Sequence, residues 1–269
     1  MIQVSDLSKH FDDLVALDRV NFQVQPGEVV GYLGPNGAGK STTMKILTGV
    51  SKLTSGTAVV AGFDVTTDPI EVKKRIGYVP ENANLYSTLS VEEYLSLVGA
   101  LHKIDPPQVA ERSKAILTSF EIADAFSKRI DTLSKGMKQK VLLTSAILHD
   151  PDVLLLDEPL SGLDANAVQT VKETIRNLAN EGKTVVYCSH MLDIVEKICD
   201  RVVILNQGII IKEGNPQELM HHAHRDSLAN VFRSLTSKEN HGEIANQIVL
   251  AMKKTGRDSE AQNDKQPNE

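Results

Sequence analysis

At 269 residues with a formal net charge of −6, the chain has room for one large domain or two small ones and for a sizeable core. The acidic balance argues against holding nucleic acid by bulk electrostatics, and the two cysteines, Cys188 and Cys199, lack metal-ligand or redox spacing and read as reduced thiols. The start, Met1-Ile2-Gln3-Val4-Ser5-Asp6, has no basic stretch followed by an apolar one, and no apolar run approaches the roughly 18 residues that cross a bilayer. The chain is expected to be soluble by itself, with any membrane-spanning helices supplied by another polypeptide.

Alternating stretches fill the first 28 residues, and residues 16–24 set apolar side chains on one face, which predicts an antiparallel sheet near the N-terminus. The apolar or β-branched runs Val29–Leu33, Ile76–Val79, 153–156 and Thr184–Cys188 then read as buried strands. Helical stretches separate them. That alternation predicts an α/β fold with a mostly parallel sheet covered on both faces, where ligands bind beyond the carboxyl ends of the strands. Between Glu81 and Pro151 the pattern is helical. Ser90-Val91-Glu92-Glu93 reads as a capping box, Pro106 and Pro107 open another helix, and the whole forms a helical insertion over about 82–150. A hairpin over 201–212 turns at Gln207-Gly208, and two short helical segments follow. Further on, Ile244, Ile248, Val249 and Met252 share a helical face that ends in Lys253 and Lys254; such a helix packs on its own domain or touches a membrane or partner. Residues 255–269 are almost wholly polar and are predicted to be disordered.

Three strand ends hold the candidate chemistry. After Val29–Leu33 comes Gly34-Pro35-Asn36-Gly37-Ala38-Gly39-Lys40-Ser41-Thr42, which fits the phosphate-loop pattern G-x-x-x-x-G-K-[ST] between a strand and a helix. Glycines let the backbone N–H groups approach phosphate oxygens, and the following helix adds the positive end of its dipole. Lys40 would reach the β- and γ-phosphates, and the Ser41 hydroxyl would take one position around Mg²⁺. After 153–156 stand two adjacent carboxylates, Asp157 and Glu158. A buried strand end is a costly place for charge without a cation, so Asp157 reads as a Mg²⁺ holder and Glu158 as the group that polarises a water in line with the γ-phosphorus. After Thr184–Cys188 and Ser189, His190 falls on the same rim and can donate to the γ-phosphate. The triplet His221, His222 and His224 has no spacing suited to a metal and reads as a solvated face.

These residues also support a family resemblance. Leu133-Ser134-Lys135-Gly136-Met137 resembles the signature motif of ABC-type ATPases, Ser161-Gly162-Leu163-Asp164 resembles their D-loop, and His190 is similar to their switch histidine. The resemblance implies a P-loop NTPase core with an N-terminal antiparallel β subdomain and an inserted α-helical subdomain over residues 1–215, followed by accessory helices over 216–254. It implies ATP and Mg²⁺ as cofactors and a head-to-tail pairing with a second nucleotide-binding domain, a homodimer being the expected case. ATP would lie between the Gly34 loop of one subunit and Ser134, Gly136 and the D-loop around Asp164 of the other. Phe11 is similar to the adenine-stacking aromatic of the family, the alternative being a core phenylalanine. Two departures stand out: Lys135 and Met137 replace glycine and glutamine, and Gly77-Tyr78-Val79-Pro80-Glu81 resembles the Q-loop but carries Glu81 for glutamine. Glu81 can still approach Mg²⁺ or water, while adding negative charge beside the triphosphate.

The run from Asn84 to Leu95 resembles ABC-2 export ATPases, and so, more weakly, does the segment 226–236. That implies an Mg²⁺-dependent ATPase on the cytoplasmic face of a membrane, held there by a permease subunit that determines the transported substrate. Two other readings stay open: a soluble ABC ATPase working on ribosomes or DNA, disfavoured by the single nucleotide domain and the lack of heptads, and a regulatory ATP-binding module without turnover.

Overall fold

The computed structural model describes residues 1–82, 85–236 and 252. In chain order its elements are β1 (Ile2–Phe11), β2 (Leu14–Val24), β3 (Val29–Leu33), α1 (Lys40–Leu47), β4 (Ser55–Val60), β5 (Phe63–Asp64), α2 (Pro69–Arg75), β6 (Ile76–Val79), α3 (Val91–Leu101), α4 (Pro106–Ser119), α5 (Lys135–Ile147), β7 (Val153–Asp157), α6 (Ala165–Asn180), β8 (Thr184–Cys188), α7 (Leu192–Ile198), β9 (Arg201–Asn206), β10 (Ile209–Gly214), α8 (Pro216–His222) and α9 (Leu228–Thr236). Residues Met1–Phe232 form one compact unit and Arg233–Glu269 a second. Of the helix expected over 244–252 only Met252 is described, and the tail 255–269 lies outside the described residues.

Two sheets organise the larger unit. The first runs β2-β1-β4-β5 and is antiparallel; the second runs β10-β9-β3-β8-β7-β6, parallel except for the edge pair β9 and β10. The expected α/β architecture with a mostly parallel sheet is therefore present, and the four anticipated buried strands are β3, β6, β7 and β8. The N-terminal sheet also recruits β4 and β5 from beyond β3, because Ile2 to Ser5 pair with Val60 to Thr57. That pairing depends on contacts between distant segments and leaves no local pattern.

Strands buried on both faces divide their side chains by a period of two. Val29, Leu33, Leu154, Leu156, Val185 and Tyr187 join the core under the later helices, while Val30, Tyr32, Leu155, Val186 and Cys188 join the core shared with the antiparallel sheet. The register sets Gly31 against Tyr187, Leu156 against Tyr187, and Asp157 against Cys188, so the strands end along one common rim. Local signals set the helix starts. Ser90 Oγ accepts the Glu93 N–H at 3.2 Å and Glu93 Oε2 accepts the Ser90 N–H at 2.7 Å, closing the expected capping box at α3. Pro106 supplies the first turn of α4.

Candidate active site at the carboxyl rim of the parallel sheet

The loop from Gly34 to Gly39 leaves β3 and enters α1 at Lys40. Gly39, the residue before the helix, has φ of 109°, and a Cβ there would sit 2.7 Å from the Ala16 carbonyl oxygen and from Leu17 Cδ2. Only glycine meets both conditions. The Gly208 N–H donates to the Ala38 carbonyl at 3.0 Å, so the turn of the β9–β10 hairpin supports the loop from behind. Lys40 is buried, and its ammonium donates to the carbonyls of Gly34 at 2.6 Å and Pro35 at 3.1 Å. The cation is thereby drawn into the curve of the loop.

Asp157 closes β7, which β8 separates from β3, and is 3% exposed. Its Oδ2 accepts the Ser41 hydroxyl at 3.0 Å. Burial pushes its carboxyl pKa up and the negative charge of Glu81 adds to that, while the Ser41 hydrogen bond opposes it. Glu158 follows with φ of 52°, a left-handed conformation that a non-glycine residue adopts only where its surroundings impose it. Its N–H donates to the Cys188 carbonyl at 2.9 Å and its Oε2 accepts the Ser189 hydroxyl at 3.3 Å. His190 Nε2 stands 3.4 Å from Oε1, yet Oε1 is buried and makes no hydrogen bond. Burial raises the Glu158 pKa, with His190 and Ser189 opposing the shift.

These groups line a cleft of about 430 Å³ together with Asn36, Gly37, Thr42, Glu81 and Phe11. The volume falls in the range of small-molecule sites, roughly 300–1,000 Å³. Phe11 is 47% exposed at the end of β1, and the Lys9 ammonium lies 4.5 Å from its ring centroid. A core phenylalanine is thus excluded. Gly34, Pro35 and Ala38 belong to the same loop but do not line the cleft. The residues suit a nucleotide triphosphate with a divalent cation. The loop is a cradle that a Cβ would fill at Gly39, the oxygens of Ser41, Asp157 and Glu81 are hard donors of the kind Mg²⁺ takes, and Glu158 Oε1 has its hydrogen-bonding capacity free.

Ser134, Gly136 and Asp164 lie outside this cleft. Ser134 caps α5 by accepting the Met137 N–H at 3.2 Å, and Asp164 caps α6 by accepting the Ala167 N–H at 2.9 Å. A Cβ on Gly136 would sit 2.6 Å from the Gly162 carbonyl oxygen, so the two segments touch backbone to backbone. Lys140 Nζ, almost buried, joins them through Asp164 Oδ2 at 3.0 Å. One chain thus carries two separate groups of candidate residues. Sequence reasoning named neither the lining residues Leu14, Val15 and Ala16 nor the contacts of Ser189 and Lys140. Leu14 and Val15 are apolar residues beside the Asp12-Asp13 turn, and Ser189 stands directly before His190; those positions are the only signals the chain offers for them.

Residues 17–161 match the family model for the ABC transporter. The ABC transporter ATP-binding protein NatA of Bacillus subtilis (strain 168) is 34% identical over 87% of this chain and 97% of its own length. The Nod factor export ATP-binding protein I of Cupriavidus metallidurans is 33% identical over 82% of this chain and 73% of its own. Among solved structures, a dimeric bacterial ABC transporter cassette superposes with a TM-score of 0.74 at 25% identity, over 80% of this chain and 98% of that one.

Proposed function

The chain belongs to the ABC transporter family, as an ATP-binding and ATP-hydrolysing subunit of the export kind, and from that premise we propose how its residues divide the work. The Gly34 to Thr42 loop holds the phosphates through its backbone N–H groups and Lys40, with Phe11 stacked on adenine. Ser41 and Asp157 hold Mg²⁺, and Glu81 reaches the same shell directly or through water. The cation supplies charge neutralisation on the phosphate oxygens. The Glu158 carboxylate takes the proton of the attacking water, and His190 steadies the terminal phosphate.

Ser134, Gly136 and Asp164 serve the nucleotide bound by a second copy. The observation that supports this is their position outside the cleft, joined to one another by Lys140 and by the Gly136–Gly162 approach. A helix start capped by Ser134 offers N–H groups to an anion that its own chain does not bring to it. Two copies facing head to tail would complete two equivalent sites, closing on ATP and separating after hydrolysis. No described helix is long and apolar enough to cross a membrane. We place the chain on the cytoplasmic face, bound to an integral permease subunit that receives the closing motion.

Glu158→Gln tests this reading. With ATP and Mg²⁺ the variant is expected to bind nucleotide normally, double its mass in solution, and turn over at least about 100-fold more slowly, as loss of a general base requires. Undiminished turnover would remove Glu158 from the role, and a persistent monomer with bound ATP would remove the second copy.

A further inference from the structure

Three consecutive residues meet Glu158 with three different groups. The Cys188 carbonyl accepts its backbone N–H at 2.9 Å, the Ser189 hydroxyl lies 3.3 Å from Oε2, and His190 Nε2 lies 3.4 Å from Oε1 without forming a hydrogen bond. The first of these fixes the backbone. The second is the side-chain hydrogen bond that reaches the carboxylate, where the His190 backbone N–H also acts. Ser189 is itself buried, and its oxygen accepts the Met191 N–H at 3.1 Å. A hydroxyl has a single proton; with the oxygen accepting from Met191, that proton can turn to Glu158 Oε2 or to the buried Tyr187 hydroxyl, and Oε2 is the one within hydrogen-bond distance. With Oε2 engaged and Oε1 buried beside His190 without a hydrogen bond, the rotation of the carboxylate at the edge of the cleft depends on the Ser189 contact.

We propose that Ser189 is a positioning residue for hydrolysis: by holding Glu158 Oε2, and being held in turn by the Met191 N–H, it fixes the rotation of the carboxylate that accepts the proton. The inference rests on the assignment of Glu158 as the base. A spacing of 3.3 Å is long for two oxygens, and such contacts in catalytic sites shorten when substrate closes the site. Of the charged and titratable neighbours that act on Glu158, Asp157 is engaged with Ser41 and the His190 ring faces Oε1. A carboxylate free to rotate would spend much of its time with neither oxygen aimed at the water, and small misplacements of a catalytic group carry large losses in rate.

The test compares Ser189→Ala and Ser189→Thr, each alone and each combined with Glu158→Gln, measuring kcat and KM for ATP and affinity for a fluorescent ATP analogue. Ser189→Ala should lower kcat about tenfold while KM and affinity stay within about twofold, because only the alignment of the base is lost. Ser189→Thr keeps the hydroxyl and should recover most of the rate. In the Glu158→Gln background Ser189→Ala should change the residual rate less than about twofold, since the group it positions is gone. The inference falls if Ser189→Ala keeps full kcat while Glu158→Gln is slow, or if it slows both backgrounds equally. It falls too if KM rises with the loss and threonine gives no rescue, which is the pattern of a merely structural serine. Normal turnover by Glu158→Gln would remove the base assignment itself and the positioning role with it.

Discussion

Truncating Phe11 to alanine should separate binding from stability. The ring is 47% exposed at the rim of the cleft, with the Lys9 ammonium 4.5 Å from its centroid. Stacking of a base on an aromatic ring is worth about 1–3 kcal/mol, which is roughly 5- to 150-fold in dissociation constant. The fold loses little in exchange. A buried phenylalanine costs about 3–5 kcal/mol on truncation because it leaves a cavity. A half-exposed ring leaves none, so the change should stay near 1 kcal/mol, most of it the exposed cation–π contact of about 0.5–1 kcal/mol. The assay is equilibrium titration with a fluorescent ATP analogue and with tripolyphosphate, beside urea unfolding of the nucleotide-free protein. ATP should bind at least about fivefold more weakly, tripolyphosphate equally well, and Phe11→Tyr should restore ATP. Unchanged ATP affinity, or a loss of several kcal/mol of stability, would refute the reasoning.

Gly39→Ala should abolish high-affinity nucleotide binding: the new Cβ would press on the Ala16 carbonyl at 2.7 Å in a left-handed backbone, a strain of about 1–3 kcal/mol placed in the phosphate loop. Calorimetric titration with ATP measures this. Asp157→Asn should leave Mg²⁺-free ATP binding near normal and remove the gain in affinity that Mg²⁺ gives, which titrations with and without EDTA would reveal. His149 stacks on His102 with ring centroids 3.6 Å apart, and its Nε2 meets the Ile76 carbonyl at 3.0 Å. Burial first, and the charge of His102 next, hold its pKa down to about 4 against an ordinary 6.5. The unfolded chain therefore binds the proton first, and stability present above about pH 6.5 is lost as the pH falls toward 4. Between pH 7.5 and 5.0 the loss is about 2 kcal/mol by linkage, or roughly 1 kcal/mol once partial exposure is allowed for. Urea unfolding at both pH values should show a smaller pH effect in His149→Gln than in the parent chain.

Much of this arrangement was legible because its signals are local. A glycine-rich loop after an apolar run, paired carboxylates after another, and Ser90 three places before Glu93 each declare their geometry within a few residues. The parallel-sheet rule then put Gly34, Asp157 and His190 on one rim without any knowledge of strand order. Phe11 was undecidable for a physical reason: β1 carries register shifts between Val4 and Leu7, between Leu7 and Lys9, and between Lys9 and His10, and each shift can exchange the faces of the strand. The contacts of Ser189 and the Lys140–Asp164 pair were hidden because they depend on rotamers and on segments meeting across the fold. The recruitment of β4 to the N-terminal sheet, with Ser55 paired to Ser8, is of the same kind.

The central claim, that each ATP site is shared between two copies, is tested most directly by complementation. Glu158→Gln spoils the cleft and keeps the Ser134–Gly136 segment; Ser134→Arg spoils that segment and keeps the cleft. Each variant alone should be inactive in single-turnover hydrolysis. In an equimolar mixture about half the dimers pair one of each and hold one intact site out of two, so about a quarter of the parent activity should return. A mixture as inactive as its components would mean that cleft and signature act within one chain, and the shared-site account would be wrong.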